Sequence, residues 1–137
     1  MSDSDYLIHD WVNFSKYHDR INNALNHILQ ERYQFSLKEF YLLMYLYHSE
    51  DNKLRLSTAS NMIGLSQSAL TRLITRLENH TFQPVERVVY EEDKRGFYVV
   101  LTPNGEKYTR DIITEVSSVL EESMSEKDKK NIRLFTS

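Results

Sequence analysis

One segment, residues 56–105, restricts the fold more than any other part of the chain, because it combines two short helices, a tight turn and a charged hairpin. The first predicted helix covers residues 56–63, the turn lies at Gly64, and the second helix opens at residues 66–68. Two runs of β-branched and aromatic residues then flank a charged tip at 91–96. A helix of this size fits the DNA major groove, and a basic hairpin tip suits the minor groove. We therefore expect a helix-turn-helix followed by a β-hairpin wing, in a chain that binds duplex DNA.

Composition limits the rest of the chain to one mostly helical domain. A length of 137 residues predicts a single domain with a hydrophobic core, and 40% hydrophobic and 12% aromatic residues argue against disorder. Only three glycines and two prolines are present, which favours helix. The absence of cysteine excludes disulfides, cysteine-ligated zinc and thiol-based redox sensing. No signal peptide and no membrane-spanning run is recognisable, so we expect a cytoplasmic protein.

The charge of the chain is unevenly distributed. The whole sequence has a net charge of −3, which does not suggest a partner made of nucleic acid. Residues 53–110, however, contain nine basic and six acidic residues, so the two flanking segments are strongly acidic. This distribution of charge suits a basic DNA-reading segment held between acidic arms. The alternative is chance scatter of charge in a small protein.

Helices are predicted on both sides of the central segment. Apolar residues recur at three- and four-residue steps over residues 5–33, which predicts one long helix. We interpret its outer part as a subunit interface, and ordinary core packing is the alternative. Ser36 and Glu39 form a capping box that opens a central, buried helix over 40–48. The remaining expected features are a polar linker at 49–53, a helix capped by Ser57, strands at 85–90 and 97–101, and helices at 103–123 and 125–135.

The helix predicted over 66–80 has one apolar face and one polar face. The apolar residues are Ala69, Leu70, Leu73, Ile74 and Leu77, which we expect to face the core. The outward residues are the predicted DNA contacts: Ser66, Gln67, Ser68, Thr71, Arg72, Thr75 and Arg76. Glutamine can pair with adenine, arginine with guanine, and a hydroxyl with a base or a phosphate. The alternative is a polar helix face that only meets solvent.

The hairpin tip supplies the second predicted DNA contact, through Asp93, Lys94 and Arg95. We expect Arg95 to enter the minor groove, where the negative potential is deep. Asp93 would accept hydrogen bonds from Arg95 and hold its guanidinium in place. The alternative is a solvated charged turn, and the acidic residues Glu91 and Glu92 weaken the local attraction for DNA.

Two motifs identify a family resemblance that covers nearly the whole chain. Residues 65–78 read LSQSALTRLITRLE, and Asp93-Lys94-Arg95 is followed by VVLTPNG at 99–105. They resemble the recognition helix, the wing and the helix-five entry of the MarR family of winged helix-turn-helix transcription regulators. The resemblance implies an α+β fold, mainly α with a small β-hairpin wing. It also implies a single domain with a DNA-binding region at 36–102 and dimerisation helices at 1–34 and 103–137.

The same resemblance implies three further expectations. The protein would be a homodimer on a pseudo-palindromic operator, with an interface that includes Ile8, Trp11, Ile112, Val116, Val119, Leu120 and Phe135. A small aromatic effector would bind near Trp11, Phe14, Tyr17, Tyr41 and Tyr45. The sequence departs from the family at residues 81–85, Thr-Phe-Gln-Pro-Val, where Gly-Leu-Val is usual, so the recognition helix is expected to end differently.

These observations lead to one function and one rival. The first is a sequence-specific repressor whose dimer occupies promoter DNA and is relieved by an effector. The rival is a winged-helix protein-interaction module that has lost DNA binding, which the acidic total charge favours. We expect neither enzyme activity nor a cofactor. His9, His18 and His27 recur at nine-residue steps, so they alternate between opposite helix faces and cannot form one metal site within a chain; a site between subunits is the alternative.

Overall fold

The computed structural model describes residues 1–91 and 96–136, and the chain forms two compact units. The terminal unit consists of residues 1–34 and 115–136, and the central unit is Phe35–Thr114. The elements, in chain order, are α1 (Asp3–Tyr33), α2 (Leu37–Tyr47), β1 (Lys53–Arg55), α3 (Leu56–Ile63), α4 (Gln67–Glu78), β2 (Val85–Val89), β3 (Phe97–Leu101), α5 (Pro103–Ser123) and α6 (Glu126–Thr136). Helix α5 begins in the central unit and ends in the terminal unit.

In the terminal unit, α1 begins at a capping box and runs for 31 residues. The hydroxyl of Ser2 accepts a hydrogen bond from the backbone N–H of Asp5, whose carboxylate accepts one from the N–H of Ser2 at 3.0 Å. The helix ends at Gln34, where a φ of 56° is left-handed. Its buried residues all lie in its second half, at Ile21, Leu25 and Leu29. The first half of α1 is therefore largely exposed.

In the central unit, the predicted capping box of α2 is confirmed. The N–H of Ser36 donates to the Glu39 carboxylate at 2.8 Å, and the N–H of Glu39 donates to the Ser36 hydroxyl at 3.1 Å. The helix is buried on several sides, through Leu37, Phe40, Leu42, Leu43 and Leu46. This apolar helix is the centre of the core of the central unit.

A three-stranded antiparallel sheet has the order β1-β3-β2. Tyr98 of β3 lies between Arg55 of β1 and Val88 of β2, and these paired residues share one face of the sheet. Lys53 was predicted to lie in a polar linker, and this was wrong because residue 53 begins the edge strand β1. A strand of three residues is too short to show an alternating pattern, so only its pairing with β3 reveals it.

The helix-turn-helix is formed by α3 and α4. Gly64 has a φ of 79°, which is the left-handed conformation that glycine adopts without strain, and its N–H donates to the carbonyl of Ser60 at 2.9 Å. The Ser60 hydroxyl, which is buried, donates to the carbonyl of Leu65 and closes the turn. Ser66 caps α4 by accepting the N–H of Ala69 at 3.2 Å. Ser57 was predicted to cap α3, but the helix begins at Leu56, so Arg55 holds the cap position two residues before Ser57.

The segment that departs from the family pattern is bonded to the start of α5. Gln83 has a φ of 47°, and Pro84 is fully buried. The N–H of Thr102 donates to the Pro84 carbonyl at 2.9 Å. The Thr102 hydroxyl donates to the Gln83 carbonyl at 2.8 Å and accepts a hydrogen bond from the N–H of Gly105 at 3.0 Å. Thr102 therefore caps α5, as predicted, and also holds the turn that follows α4.

Two kinds of feature are absent from residues 1–91 and 96–136. No helix in this part of the chain is both long and apolar enough to cross a membrane. No group of three or more histidine, cysteine, aspartate or glutamate side chains in these residues could hold a metal ion.

Candidate nucleic-acid interface

Helix α4 is amphipathic in the orientation that the sequence predicts. Leu70, Leu73, Ile74 and Leu77 are all buried, whereas Gln67, Ser68, Arg72, Thr75 and Arg76 are exposed. The helix lies directly after the Gly64 turn, so its first residues are presented at the surface of the central unit. The long polar side chains of α4 thus lie on one accessible face, as a reading helix requires.

The hydroxyl groups on this face are used within the helix itself. The Thr71 hydroxyl donates to the carbonyl of Gln67 at 2.8 Å, and the Thr75 hydroxyl donates to the carbonyl of Thr71 at 3.0 Å. Ser66 is occupied by its capping bond to Ala69. Hydroxyl groups that already donate to the backbone have only acceptor capacity left for a ligand. The Ser66 hydroxyl accepts its capping bond and lies 3.3 Å from the Ser68 hydroxyl, so these two serines keep donor capacity, as do the longer side chains of this face.

The longer side chains are Gln67, Arg72 and Arg76. Within the described part of the chain, no ion pair holds either arginine, and both are exposed. Arg72 and Arg76 are four residues apart, so they lie one helical turn apart on the same face. Because a guanidinium has five donors in a planar fork, this pair can bind guanine edges or phosphates.

Arg87 on β2 connects this helix to the sheet. Its Nε donates to the Glu78 carboxylate at 2.8 Å, and its Nη2 donates to the Thr75 hydroxyl at 2.7 Å. The guanidinium carbon also lies 4.8 Å from the ring centroid of Phe97 on β3. The outward face of α4 is thus anchored to both long strands through one side chain.

The base of the wing is a cluster of cationic and aromatic side chains. The rings of Tyr90 and Tyr98 meet edge to face at 4.7 Å, and the Arg55 guanidinium lies 4.5 Å from the Tyr90 ring. The N–H of Tyr90 donates to the carbonyl of Gly96 at 3.2 Å, which closes the described base of the hairpin. The predicted contacts Asp93, Lys94 and Arg95 lie outside the described residues and stay predictions.

The terminal unit exposes large apolar side chains of the predicted dimer interface. Ile8, Trp11 and Phe135 are 62%, 67% and 76% exposed. Val119 and Leu120 are half-buried. The expectation for Ile112 and Val116 needs correction, because both are buried within this chain at 0% and 8% exposure and are unavailable to a partner. Helical periodicity places them on an apolar face, but it does not show that the same chain covers that face.

The five aromatic residues predicted to bind an effector are divided between the two units. In the terminal unit, Trp11 and Phe14 line an apolar cavity of about 440 Å³, with their ring centroids 5.9 Å apart. The Tyr17 hydroxyl donates to Asp128 at 2.9 Å; desolvation, with this bond, raises the pKa of Tyr17. In the central unit, burial and repulsion from Tyr45 raise the pKa of Tyr41. Effector binding at these residues stays a prediction.

Comparison with known proteins identifies the family. The family described as "Transcriptional regulator SarA/Rot" matches residues 24–112, which is more than half of the sequence. The chain belongs to the SarA/Rot family of transcriptional regulators. One relative of this SarA/Rot protein is the HTH-type transcriptional regulator SarU of Staphylococcus aureus, which is 27% identical over 124 residues. That match covers 87% of the present chain and 49% of SarU, so the chain spans about half the length of the curated relatives it matches.

Solved structures confirm the fold, which this chain shares with regulators of the MarR family. AbsC, a MarR family regulator from Streptomyces coelicolor, is 23% identical with a TM-score of 0.82, covering 96% of this chain and 88% of AbsC. Sco3205, from the same organism and solved in complex with DNA, is 19% identical with a TM-score of 0.85. The match covers 99% of this chain and 85% of Sco3205. A mutant MarR from E. coli, complexed with operator DNA, is 17% identical with a TM-score of 0.75. The match covers 99% of this chain and 96% of that MarR chain.

One residue of the candidate interface, Arg87, was not predicted from the sequence. Arg87 was counted only as a basic residue, although it contacts two side chains of α4. The sequence does show on which face of β2 Arg87 lies. Val85, Arg87 and Val89 are two residues apart along the strand, so all three lie on the face that includes the buried Val85. An arginine on that face needs polar partners, but the sequence does not show which side chains supply them.

Proposed function

We propose that this SarA/Rot family protein is a sequence-specific regulator that binds duplex DNA as a homodimer and represses transcription by occupying promoter DNA. The observation that carries the proposal is the outward face of α4, where Gln67, Arg72 and Arg76 are exposed at the end of a helix-turn-helix. The DNA complexes solved for Sco3205 and for MarR support it, since both share this fold. The function is non-catalytic, and it places the protein with the chromosome in the cytoplasm.

Each side chain of α4 has a role that its chemistry defines. Gln67, in the first turn, is suited to the N6 and N7 edge of adenine, and Arg72 and Arg76 are suited to guanine O6 and N7. Since the Thr71 hydroxyl is held by the helix backbone, its methyl group is the part left to meet a thymine methyl. Free N–H groups near Ser66 and Ser68 favour a phosphate at the helix N-terminus. The predicted wing contacts at 93–95 would add a minor-groove contribution.

Salt dependence tests whether DNA is the ligand. The equilibrium constant for a labelled duplex is measured by fluorescence anisotropy at increasing salt concentration. A dimer that makes about six phosphate contacts is expected to give a slope near −5 in a plot of log K against log salt. A slope near zero, or no binding at about 50 mM salt, would contradict the proposal and favour a protein-interaction module.

The homodimer is supported by the apolar surface of the terminal unit. Trp11 lines a cavity whose other walls are Leu7, Asp10, Phe14 and Phe135, and four of these five side chains are apolar. An exposed patch of this kind is unfavourable in water and is typical of an interface. A second copy of this chain is the occupant that the MarR-like fold favours. Two copies would place two α4 helices on successive half-sites of an inverted repeat.

Substitution of Trp11 by glutamate is expected to convert the dimer into a monomer. The change places a charge against the side chains that line this cavity, none of which is cationic, and burying an unpaired charge costs about 3–5 kcal/mol. Sedimentation equilibrium measures the result directly. Met62→Glu is the matched control, because Met62 is also an exposed apolar side chain (43%) but belongs to the central unit. A Trp11→Glu variant that stays dimeric would place the interface elsewhere.

An effector that relieves repression remains part of the proposal. A second cavity of the terminal unit, of about 420 Å³, has a volume suited to a small aromatic molecule; it is lined by Phe14, Tyr17, Asp128, Asn131, Ile132, Leu134 and Phe135. A ligand that prefers one spacing of the two α4 helices would shift the dimer toward that spacing. Release of DNA would follow if that spacing did not fit the operator.

A further inference from the structure

The side chain of Arg87 joins two elements that are separate in sequence. It belongs to β2, yet it bonds to Thr75 and Glu78 of α4 at 2.7 and 2.8 Å. We call this set of three residues the Arg87 bridge. The side chains of Arg87 and Glu78 are only 31% and 30% exposed, so the ion pair is partly shielded from water. Shielding makes this pair stronger and more rigid than a fully exposed ion pair.

The place of Arg87 in the sheet restricts the direction in which its guanidinium can extend toward α4. Arg87 lies opposite Val99 on β3, and Val99 is fully buried. The Phe97 ring stacks against the guanidinium, which limits the directions in which the side chain can extend. The two hydrogen bonds therefore have fixed directions from a fixed point on the sheet.

The two bonds also act at two points along α4. Thr75 and Glu78 are three residues apart, so they lie on one side of the helix about one turn apart. A contact at one point would allow the helix to rotate about its axis, whereas two contacts resist both rotation and tilt. Arg76 lies between them in sequence and Arg72 lies one turn before it. The direction in which these two arginines extend thus depends on the bridge.

We propose that Arg87 is a positioning residue that sets the orientation of α4 and thereby the base preference of the protein, without touching a base itself. The inference rests on the proposed DNA-binding function. Sequence discrimination needs contact groups held to within about 0.5 Å of their productive positions. Attraction to phosphates tolerates larger displacements, because it falls off slowly with distance. Loss of the bridge should therefore lower discrimination between sequences more than it lowers affinity for DNA in general.

The first arm of the test uses no DNA. Amide hydrogen exchange is compared for the full-length wild type, Arg87→Gln and Arg87→Lys. We expect faster exchange in the last turn of α4 and in β2 for Arg87→Gln, and a smaller change for Arg87→Lys, whose ammonium lacks the planar fork. Arg32→Gln is the matched control, since Arg32 forms a 2.7 Å ion pair with Glu115 within the terminal unit. Unchanged exchange in Arg87→Gln would overturn the bridge, whether or not the protein binds DNA.

The second arm compares affinities for the preferred duplex and a scrambled duplex. We expect the ratio of the two affinities to fall about tenfold in Arg87→Gln, with an unchanged salt slope. An unchanged ratio would contradict a positioning role. A uniform loss of affinity with the slope reduced by about 0.9 would show instead that Arg87 contacts a phosphate. If the wild type itself does not discriminate, the proposed function fails, and the exchange arm still decides the bridge.

Glu78→Gln separates positioning from simple electrostatics. Removing an acidic group beside the DNA-reading face should raise affinity for any duplex, because it removes repulsion of phosphates. The bridge predicts that the same substitution lowers discrimination, since Arg87 loses its charged partner. A Glu78→Gln variant with higher general affinity and a lower affinity ratio would support the proposal. A ratio that is maintained or increased would contradict it.

Discussion

Replacing Arg72 and Arg76 together by alanine is expected to abolish sequence-specific DNA binding and to leave the fold intact. Both side chains are exposed, whereas the neighbouring Leu73 and Leu77 are buried. A bidentate contact between arginine and guanine contributes about 1–3 kcal/mol of discrimination. Loss of two such contacts corresponds to a loss of about 30-fold to 10⁴-fold in affinity for the preferred duplex. Competition binding against a scrambled duplex measures this loss of affinity.

A matched control for this pair exists on α1. Lys16 and Arg20 are also exposed, basic and four residues apart, so their double alanine variant removes the same charge from the same helical spacing. We expect this control to keep the ratio between preferred and scrambled duplexes. The single variant Arg72→Lys refines the result, because it keeps the charge and removes the planar fork. Equal losses of specific binding in the α1 and α4 double variants would indicate that only total charge matters.

Gly105→Ala is expected to destabilise the central unit and to displace the turn that follows α4. A Cβ atom at position 105 would overlap the backbone carbonyl oxygen of Pro84 and would lie 2.8 Å from Cδ1 of Leu101. A backbone carbonyl cannot move away by a rotamer change, so α5 and the turn must separate. The hydrogen bond from Thr102 to Pro84 would weaken at the same time. We expect a decrease of about 3 kcal/mol in the free energy of unfolding.

Urea denaturation followed by circular dichroism measures this decrease. Gly64→Ala is the comparison, because a Cβ there meets no atom within 4 Å and the only penalty is the left-handed φ of 79°. That penalty is about 1 kcal/mol. We therefore expect Gly105→Ala to be the more damaging of the two. If the order were reversed, the close approach between α5 and Pro84 would not be a significant constraint.

The parts of this protein that the sequence predicted well are governed by local interactions. The capping box of Ser36 and Glu39 joins residues three apart, and the buried face of α4 follows from the helical repeat alone. The turn at Gly64 and the cap at Thr102 are local in the same sense. For such features, residue type and spacing determine the geometry, so no knowledge of the rest of the chain is needed.

The features that the sequence did not predict depend on distant parts of the chain. Strand β1 is recognisable only through its pairing with β3, which lies more than forty residues later. Arg87 acquires its role from Thr75 and Glu78, which approach it only after the sheet has packed against α4. Ile112 lies on an apolar helix face, but its burial within one chain is a property of the folded unit. Periodicity identifies an apolar face without identifying what covers it.

The most direct test of sequence-specific recognition by a dimer is selection of bound duplexes from a random DNA library at near-physiological salt. The protein is first shown to be folded and dimeric, and the enriched sequences are then read. We predict an inverted repeat whose half-sites are about one helical turn apart and contain guanines within reach of Arg72 and Arg76. A folded, dimeric protein that enriches no sequence would contradict the account and favour a winged-helix module that binds other proteins.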